Sequence, residues 1–334
     1  ALAQDQKRAF QKLLSKIPQL SHVLVDTYDG DTEQNQRAHI RKNARVIFTN
    51  PDMIHTSILP NHPNWRHFLL HLKLVVVDEL HIYKGLFGSH VSLVMRRLLR
   101  LVGDFYGNIS LQFISCSATL KHPVGHMMDI FGIEQVTLIH EDGSPRGSKH
   151  LVVWNPPTLI QHERKRESFI RETAKILIQL ILANVRTIAF CYVRRVCELL
   201  MKEVRTIFQD MNRLDLINEV MSYRGGYSAS DRRKIEQEMF HGNLRAVIST
   251  NALELGIDIG GLDAVVMCGF PLSLANFHQQ SGRAGRRNRD SLTLVVASDS
   301  PVDQHYVAHS ETLLEGDNSE SFQELVLDFN NTLI

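Results

Sequence analysis

The sequence predicts an α/β protein built from two tandem domains, each centred on a mostly parallel sheet. Three observations carry this. Short apolar runs alternate with amphipathic helical stretches, the alternation passes through two successive sets, and a polar, proline-broken stretch separates them. A chain of 334 residues with 43% hydrophobic content is long enough for two domains of ordinary size.

The elements follow in order. A helix over residues 5–17 stops before Pro18. Strand-like runs follow at 22–26, 45–49, 74–77 and 111–115. Between the last two, residues 88–102 place Val91, Val94, Met95, Leu98, Leu99 and Val102 on one helical face. A Gly/Pro/Ser-bearing stretch at 141–148 precedes one more strand. Residues 155–166 then read as the interdomain linker. The second set comprises helices at 167–182, 195–210, 230–241 and 275–284, with strands at 187–191, 220–223, 245–250, 264–268 and 292–297. The domains are therefore expected at 1–154 and 167–309, with an acidic, unassigned tail at 310–334.

Composition excludes little. With 37 basic and 36 acidic residues the net charge of +1 neither suggests nor forbids a nucleic-acid partner, since only local clustering matters. Cys116, Cys191, Cys197 and Cys268 lack zinc-site spacing, and three of them lie in apolar surroundings, so free thiols in a reducing compartment are expected. No apolar run approaches 18 residues and no leader pattern is present, which predicts a soluble intracellular protein with no membrane partner. The opening ALAQDQKRAF reads as the middle of a fold, so the chain is expected to be a fragment.

The richest stretch is KLVVVDELH, residues 73–81: an apolar run ending in two carboxylates and a histidine. Such a run fits a strand buried on both faces, and open parallel sheets bind ligands beyond the carboxyl ends of their strands. Asp78 can hold a hydrated Mg²⁺ there while Glu79 orients an attacking water; alternatively the pair caps the next turn. In NFHQQSGRAGRRNR, residues 276–289, Arg283 and Arg286 are three apart behind Gln279, and Gly282 and Gly285 permit close backbone approach. Two convergent guanidiniums suit a transferring phosphoryl group; the alternative is a solvated basic face. Residues 249–259, STNALELGIDI, follow a strand and offer hydroxyls and amides to a phosphate, although Thr250 and Asn251 can equally cap a helix. Ser117-Ala118-Thr119 ends another strand, where a tight buried turn is the alternative. Thr49-Asn50-Pro51-Asp52 closes a strand and opens a helix with proline in its first turn, and its amides could hold a backbone phosphate. Arg224, in the tyrosine- and glycine-rich loop 223–227, is compatible with a strand-tracking loop or with ordinary loop chemistry.

Taken together and in this order, these segments resemble the superfamily 2 helicases. ALAQDQ resembles the end of motif Ia, TNPD the next nucleic-acid contact motif, DELH motif II and SAT motif III. TIAFCYVRR, STNALELGID and QQSGRAGRR are similar to motifs IV, V and VI. The likeness reaches to about Val307. VVVDELHIYKGLFGSH, SYRGGYSASDRR and LGIDIGGLDAVV look most like the fungal RecQ-like DNA helicases and their bacterial DNA-repair relatives.

The resemblance implies two RecA-like domains that close on ATP and open after hydrolysis, hinged about 155–166, and 3′-to-5′ movement on single-stranded or forked DNA in the nucleus. It implies Mg²⁺ held through water by Asp78, Glu79 polarising the attacking water, and His81 coupling the nucleotide to motif III. Ser117 and Thr119 relay nucleotide state, and Arg283 and Arg286 act as arginine fingers beside Gln279. Gly256 and Asp258 face the nucleotide, and Thr49, Asn50, Pro51, Thr250 and Arg224 meet the nucleic acid. One departure stands out: nothing matches G-x-x-x-x-G-K-[ST], and Gly147-Ser148-Lys149 lacks the glycine spacing. The first domain is thus expected to lack its phosphate-loop strand, leaving an open edge or gap in its sheet and a chain that hydrolyses ATP negligibly. Two readings stay open beside the DNA helicase: a nucleic-acid-binding pseudo-helicase without ATPase activity, and a DExH RNA helicase.

Overall fold

The computed structural model describes residues 2–118, 120–141, 143, 145, 147–159, 166–224, 226–254, 260–285 and 289–313. They fall into two compact units, divided after residue 141.

In unit 1 the order is α1 (Leu2–Leu14), β1 (Val25–Thr27), α2 (Gln34–Asn43), β2 (Val46–Phe48), α3 (Pro51–Met53), α4 (Arg66–Leu70), β3 (Leu74–Val77), α5 (Gly85–Arg100), β4 (Gln112–Ser115) and α6 (Pro123–Phe131). The described strands pair in parallel as β1–β2 and β3–β4, in two separate ladders. Leu74 and Val76 on β3 and Ile114 on β4 remain exposed. The core forms where α5 lays Val91, Val94, Met95 and Leu98 against Val77, Leu80, Ile130 and Phe131. This is the apolar face that the 3.6-residue period predicts, with Val102 buried and Leu99 half-buried at its margin.

Unit 2 runs β5 (Lys149–Trp154), α7 (Phe169–Leu182), β6 (Thr187–Cys191), α8 (Arg194–Asp210), β7 (Val220–Tyr223), α9 (Ala229–His241), β8 (Ala246–Ser249), β9 (Ala264–Cys268), α10 (Leu274–Ser281), β10 (Ser291–Val296) and α11 (Pro301–Ala308). The six strands form one parallel sheet in the order β5-β10-β9-β6-β8-β7. Both faces are covered. Ala189 and Cys191 join one apolar cluster with α7 and α8, while Ile188 and Phe190 join the other with α9 and α10. Serine caps start four of the helices, with the side chains of Ser168, Ser228, Ser273 and Ser300 each accepting a backbone N–H.

The expected boundary at 154 is corrected here. Every residue of β5 is in register with β10, from Lys149 opposite Ser291 to Trp154 opposite Val296, so the strand belongs to unit 2. The division falls instead at the start of the Gly/Pro/Ser stretch 141–148. Of residues 155–166, expected as linker and hinge, 155–159 and 166 are described; they belong to unit 2, where Thr158 and Arg166 form an antiparallel bridge. Of the tail, a helical turn at Ser310–Leu313 is described, and residues 314–334 lie outside the described residues.

Candidate functional site

In unit 1, parallel pairing carries β3 and β4 to the same edge, with Val77 opposite Ser115. The residues that follow each strand are thereby neighbours. Cys116 N–H donates to the Val77 carbonyl (3.0 Å) and Leu80 N–H donates to the Cys116 carbonyl (2.9 Å), so two backbone bonds join the DELH turn to the SAT segment. Asp78 is exposed and accepts the Glu79 N–H (2.9 Å). Glu79 takes a left-handed conformation (φ 53°, ψ 47°), which a residue with a side chain adopts at a cost of about 1–3 kcal/mol. That conformation turns the chain sharply off the strand into a tight helical turn, Leu80–Ile82.

His81 lies across this junction. Its Nδ1 accepts the Ala118 N–H at 3.3 Å, which assigns the ring proton to Nε2. Burial, then the charge of Lys84, lowers its pKa against the opposing pull of Asp78, so the ring is neutral at pH 7. The Glu79 carboxylate, 3.5 Å from Nδ1, therefore faces a neutral imidazole. The structure thus brings Asp78, Glu79, His81 and the exposed Ser117 together at one strand edge. Thr119 lies outside the described residues.

His126, which the sequence reading did not single out, braces this turn from behind. It projects from α6 and is buried, and the backbone at Leu80 and Tyr83 opposes the lowering of its pKa. Desolvation lowers its pKa. Its spacing of four and five residues from the buried Ile130 and Phe131 was the available signal for an inward-facing side chain.

A lone exposed carboxylate with one oxygen engaged by an amide suits a metal that keeps most of its waters, as Mg²⁺ does. Among the described residues no group of three or more His, Cys, Asp or Glu could hold an ion by protein ligands alone. The donor set fits a divalent cation that stays largely hydrated, such as Mg²⁺.

At the ends of β1 and β2, Thr49 Oγ1 donates to the Tyr28 carbonyl (2.7 Å), and Asn50 caps α3 by accepting the Met53 N–H (2.8 Å) with Pro51 next in line.

In unit 2 three of the expected residues are buried or already engaged. Arg283, expected to face a phosphoryl group, is 5% exposed and directs Nε (3.0 Å) and Nη2 to the Glu254 carbonyl. Thr250, expected against nucleic acid, is 8% exposed at the end of the fully buried β8, where it leads into a short helical turn at Asn251–Leu253. Arg224 pairs with Glu198 and lies 5.0 Å over the Tyr227 ring, so a carboxylate and an aromatic face already engage it. Gln279 is half-buried on α10. Gly256, Asp258 and Arg286 lie outside the described residues.

Glu254 is the organising residue missed in the sequence. It is buried, accepts Asn276 Nδ2 (2.5 Å), and is also hydrogen-bonded by Gln280. Burial raises its pKa, opposed by those two amides and by Arg283. The motif V turn and the motif VI helix are thus tied through one carboxylate. Gly285 behaves as expected: φ is 76°, and a Cβ there would sit 2.4 Å from Ser291 Oγ. The thiols of Cys191, Cys197 and Cys268 are free and buried, again as expected, whereas Cys116 is exposed.

A parallel-sheet edge carrying DELH against SAT, and a second sheet whose motif V turn is locked to the motif VI helix, match the motif arrangement of the DExH-box class. The chain matches the DEAD/DEAH box helicase family over residues 1–127 and the helicase conserved C-terminal domain over residues 172–288. It belongs to the superfamily 2 helicases, with two tandem RecA-like domains. It is 83% identical over its full length to the ATP-dependent helicase HRQ1 of Saccharomyces cerevisiae and 48% identical to that of Schizosaccharomyces pombe, and spans 31% of the length of each. Among solved structures, the DUF1998 helicase MrfA bound to DNA and AMPPNP superposes with a TM-score of 0.90 at 37% identity, covering 99% of this chain and 45% of MrfA. Among the described residues, no helix is long and apolar enough to cross a membrane.

Proposed function

We propose that this chain is the motor core of an ATP-dependent DNA helicase that moves 3′ to 5′ on single-stranded or forked DNA. The observation that carries the reading is the junction of the DELH turn and the SAT segment: two backbone bonds and the Ala118-to-His81 contact make any shift at Glu79 a shift at residues 116–118. Asp78 anchors hydrated Mg²⁺, which when bound neutralises charge building on the transferring phosphoryl group. Glu79 accepts a proton from the attacking water, and neutral His81 passes the displacement to Ser117 and Thr119. The family resemblance assigns the phosphate-facing guanidinium to Arg286 and contact with the nucleotide to Gln279, Gly256 and Asp258, while Arg283 holds the Glu254 carbonyl. Thr49, Asn50 and Pro51 offer the end of β2 to a backbone phosphate.

DNA is favoured over RNA by the likeness to MrfA, whose solved complexes contain DNA. A role in DNA repair and a nuclear location rest on the family resemblance. The 334 residues contain no G-x-x-x-x-G-K-[ST] loop, and so no lysine in the setting that grips nucleotide phosphates. DNA-stimulated ATP hydrolysis by the 334-residue chain is therefore expected to be negligible, and robust turnover abolished by Glu79→Gln would overturn that account. Competition between a DNA and an RNA oligonucleotide of one sequence, at fixed salt, tests the substrate, with preference for RNA refuting the DNA assignment.

A further inference from the structure

Unit 1 carries a second concentration of charge and exposed apolar surface, remote from the DELH turn. α5 starts beside that turn and runs for 16 residues, about 24 Å at 1.5 Å per residue. Its last turn presents Arg97 and Arg100, and the chain continues into a widened helical turn, Leu101–Phe105. A second widened turn, Ile54–Ile58, brings His55 to Arg97, with Nη1 2.9 Å from Nδ1. Such turns are rare and concentrate at functional sites.

Two clefts flank Arg100 and Asp104. One, of about 420 Å³, adds Leu59, Arg97, Leu101 and Phe105; the other, of about 410 Å³, is floored by Leu99, Ile109 and Leu111. Phe105 is 67% exposed and Ile109 94% exposed. Phe105 is held in place by edge contacts to His62 (5.3 Å) and Tyr106 (5.0 Å). Lys73 reaches Ser110 at 2.8 Å, adding a cation beside Ile109. Among the described residues lining the clefts, Asp104 is the lone carboxylate.

We propose that this end of unit 1 docks an acidic peptide segment of a partner protein. Its aliphatic or aromatic side chains enter the two clefts, and its carboxylates meet Arg97 and Arg100. Charge complementarity selects an acidic partner, and planar guanidiniums match carboxylates with two donors each. The aliphatic floors select a peptide over a nucleic acid, because they offer cavities for side chains rather than flat faces for bases. Asp104, set between the clefts, would repel a continuous phosphate backbone, whereas it can accept a peptide N–H. Because the surface stands an α5 length from the DELH turn, binding there leaves the turn open.

The test is a fluorescence titration of the 334-residue chain with a labelled synthetic peptide of about a dozen residues alternating Glu with Leu and Phe. A Lys-for-Glu counterpart and a thymidine oligonucleotide serve as competitors. Saturable binding is expected, weakened about tenfold or more by Arg100→Glu and, separately, by Phe105→Ser, and weakened by salt. Both side chains are exposed, so circular dichroism should show folded variants. Absence of saturable binding, or equal binding by both variants, overturns the proposal. Displacement by the oligonucleotide with the same sensitivity to Arg100→Glu also overturns it, by making the face a nucleic-acid site.

Discussion

Replacing Arg283 with Met separates two roles that the sequence alone merges. A side chain that only reaches for a phosphate contributes nothing to the fold, so its removal should leave melting unchanged. The structure instead buries the guanidinium and gives its Nε and Nη2 to the Glu254 carbonyl. Hydrogen bonds from charged donors contribute about 1.5–3 kcal/mol, and a buried acceptor left unsatisfied costs about 1–3 kcal/mol. The substitution also removes the cation nearest a buried carboxylate, while the methionine returns part of the lost packing. A net loss of about 2–4 kcal/mol in unit 2 is expected. For a unit of this size each kcal/mol lowers Tm by about 2–4 °C, so the drop should be about 5–15 °C. Calorimetry with hydrogen exchange on β6 and β9 assigns the loss to unit 2. A Tm change within about 2 °C would refute the anchoring role.

Four further outcomes follow from the same contacts. Glu254→Gln keeps the bond from Asn276 while removing a carboxyl whose folded pKa is raised by burial. That group's stabilising contribution is present below the ordinary Glu range and is lost as pH rises through the folded value, so the variant should match the parent in acid and melt higher at neutral pH. His126 has its pKa lowered by burial, so its contribution is present above about 6.5 and is lost as pH falls through the folded value; His126→Gln should flatten the acid side of the unit 1 melting profile. Trp65 is fully buried, stacks edge-on to Tyr28 at 4.8 Å, and leaves its indole N–H without a partner, so Trp65→Ala should cost about 3–5 kcal/mol in a denaturant titration and Trp65→Phe distinctly less. Tyr223→Phe removes a 2.6 Å bond to Glu236 and should cost about 0.5–1.5 kcal/mol by the same measurement.

The fold was legible wherever a period was strong. β6, β7 and β9 match the expected bounds, and the six-strand sheet of unit 2 follows from its alternation of buried strands and capped helices. The placement of β5 was not legible, because its pairing with β10 joins residues some 140 apart and leaves no local mark. The carboxylates and histidine of DELH could be found from their position after an apolar run. The state of Arg283 could not, since a glycine-spaced arginine reads the same whether it points to a phosphate or folds under the next turn. Glu254 and His126 were missed for a related reason: a polar side chain facing inward is recognisable only once its partners are in place.

Those two missed residues reveal a common construction. In unit 1 the loop after β3 is strained at Glu79, and the side chain bracing it comes from α6, downstream of the SAT segment. In unit 2 the loop after β8 is held through Glu254 by Asn276, Gln280 and Arg283, all on or just after α10. Each unit therefore fastens the loop at one strand edge to a helix that follows a different strand. A left-handed glutamate persists only when its surroundings over-determine it, and His81 and the Cys116 backbone supply that constraint, with the buried His126 beside the turn. A displacement at the unit 2 loop must move the bracing helix or break buried hydrogen bonds, and the second course costs more than the small rotation of a packed helix. The stored strain and the buried braces thus favour transmission of a local change through α6 and α10 over its absorption in the loops.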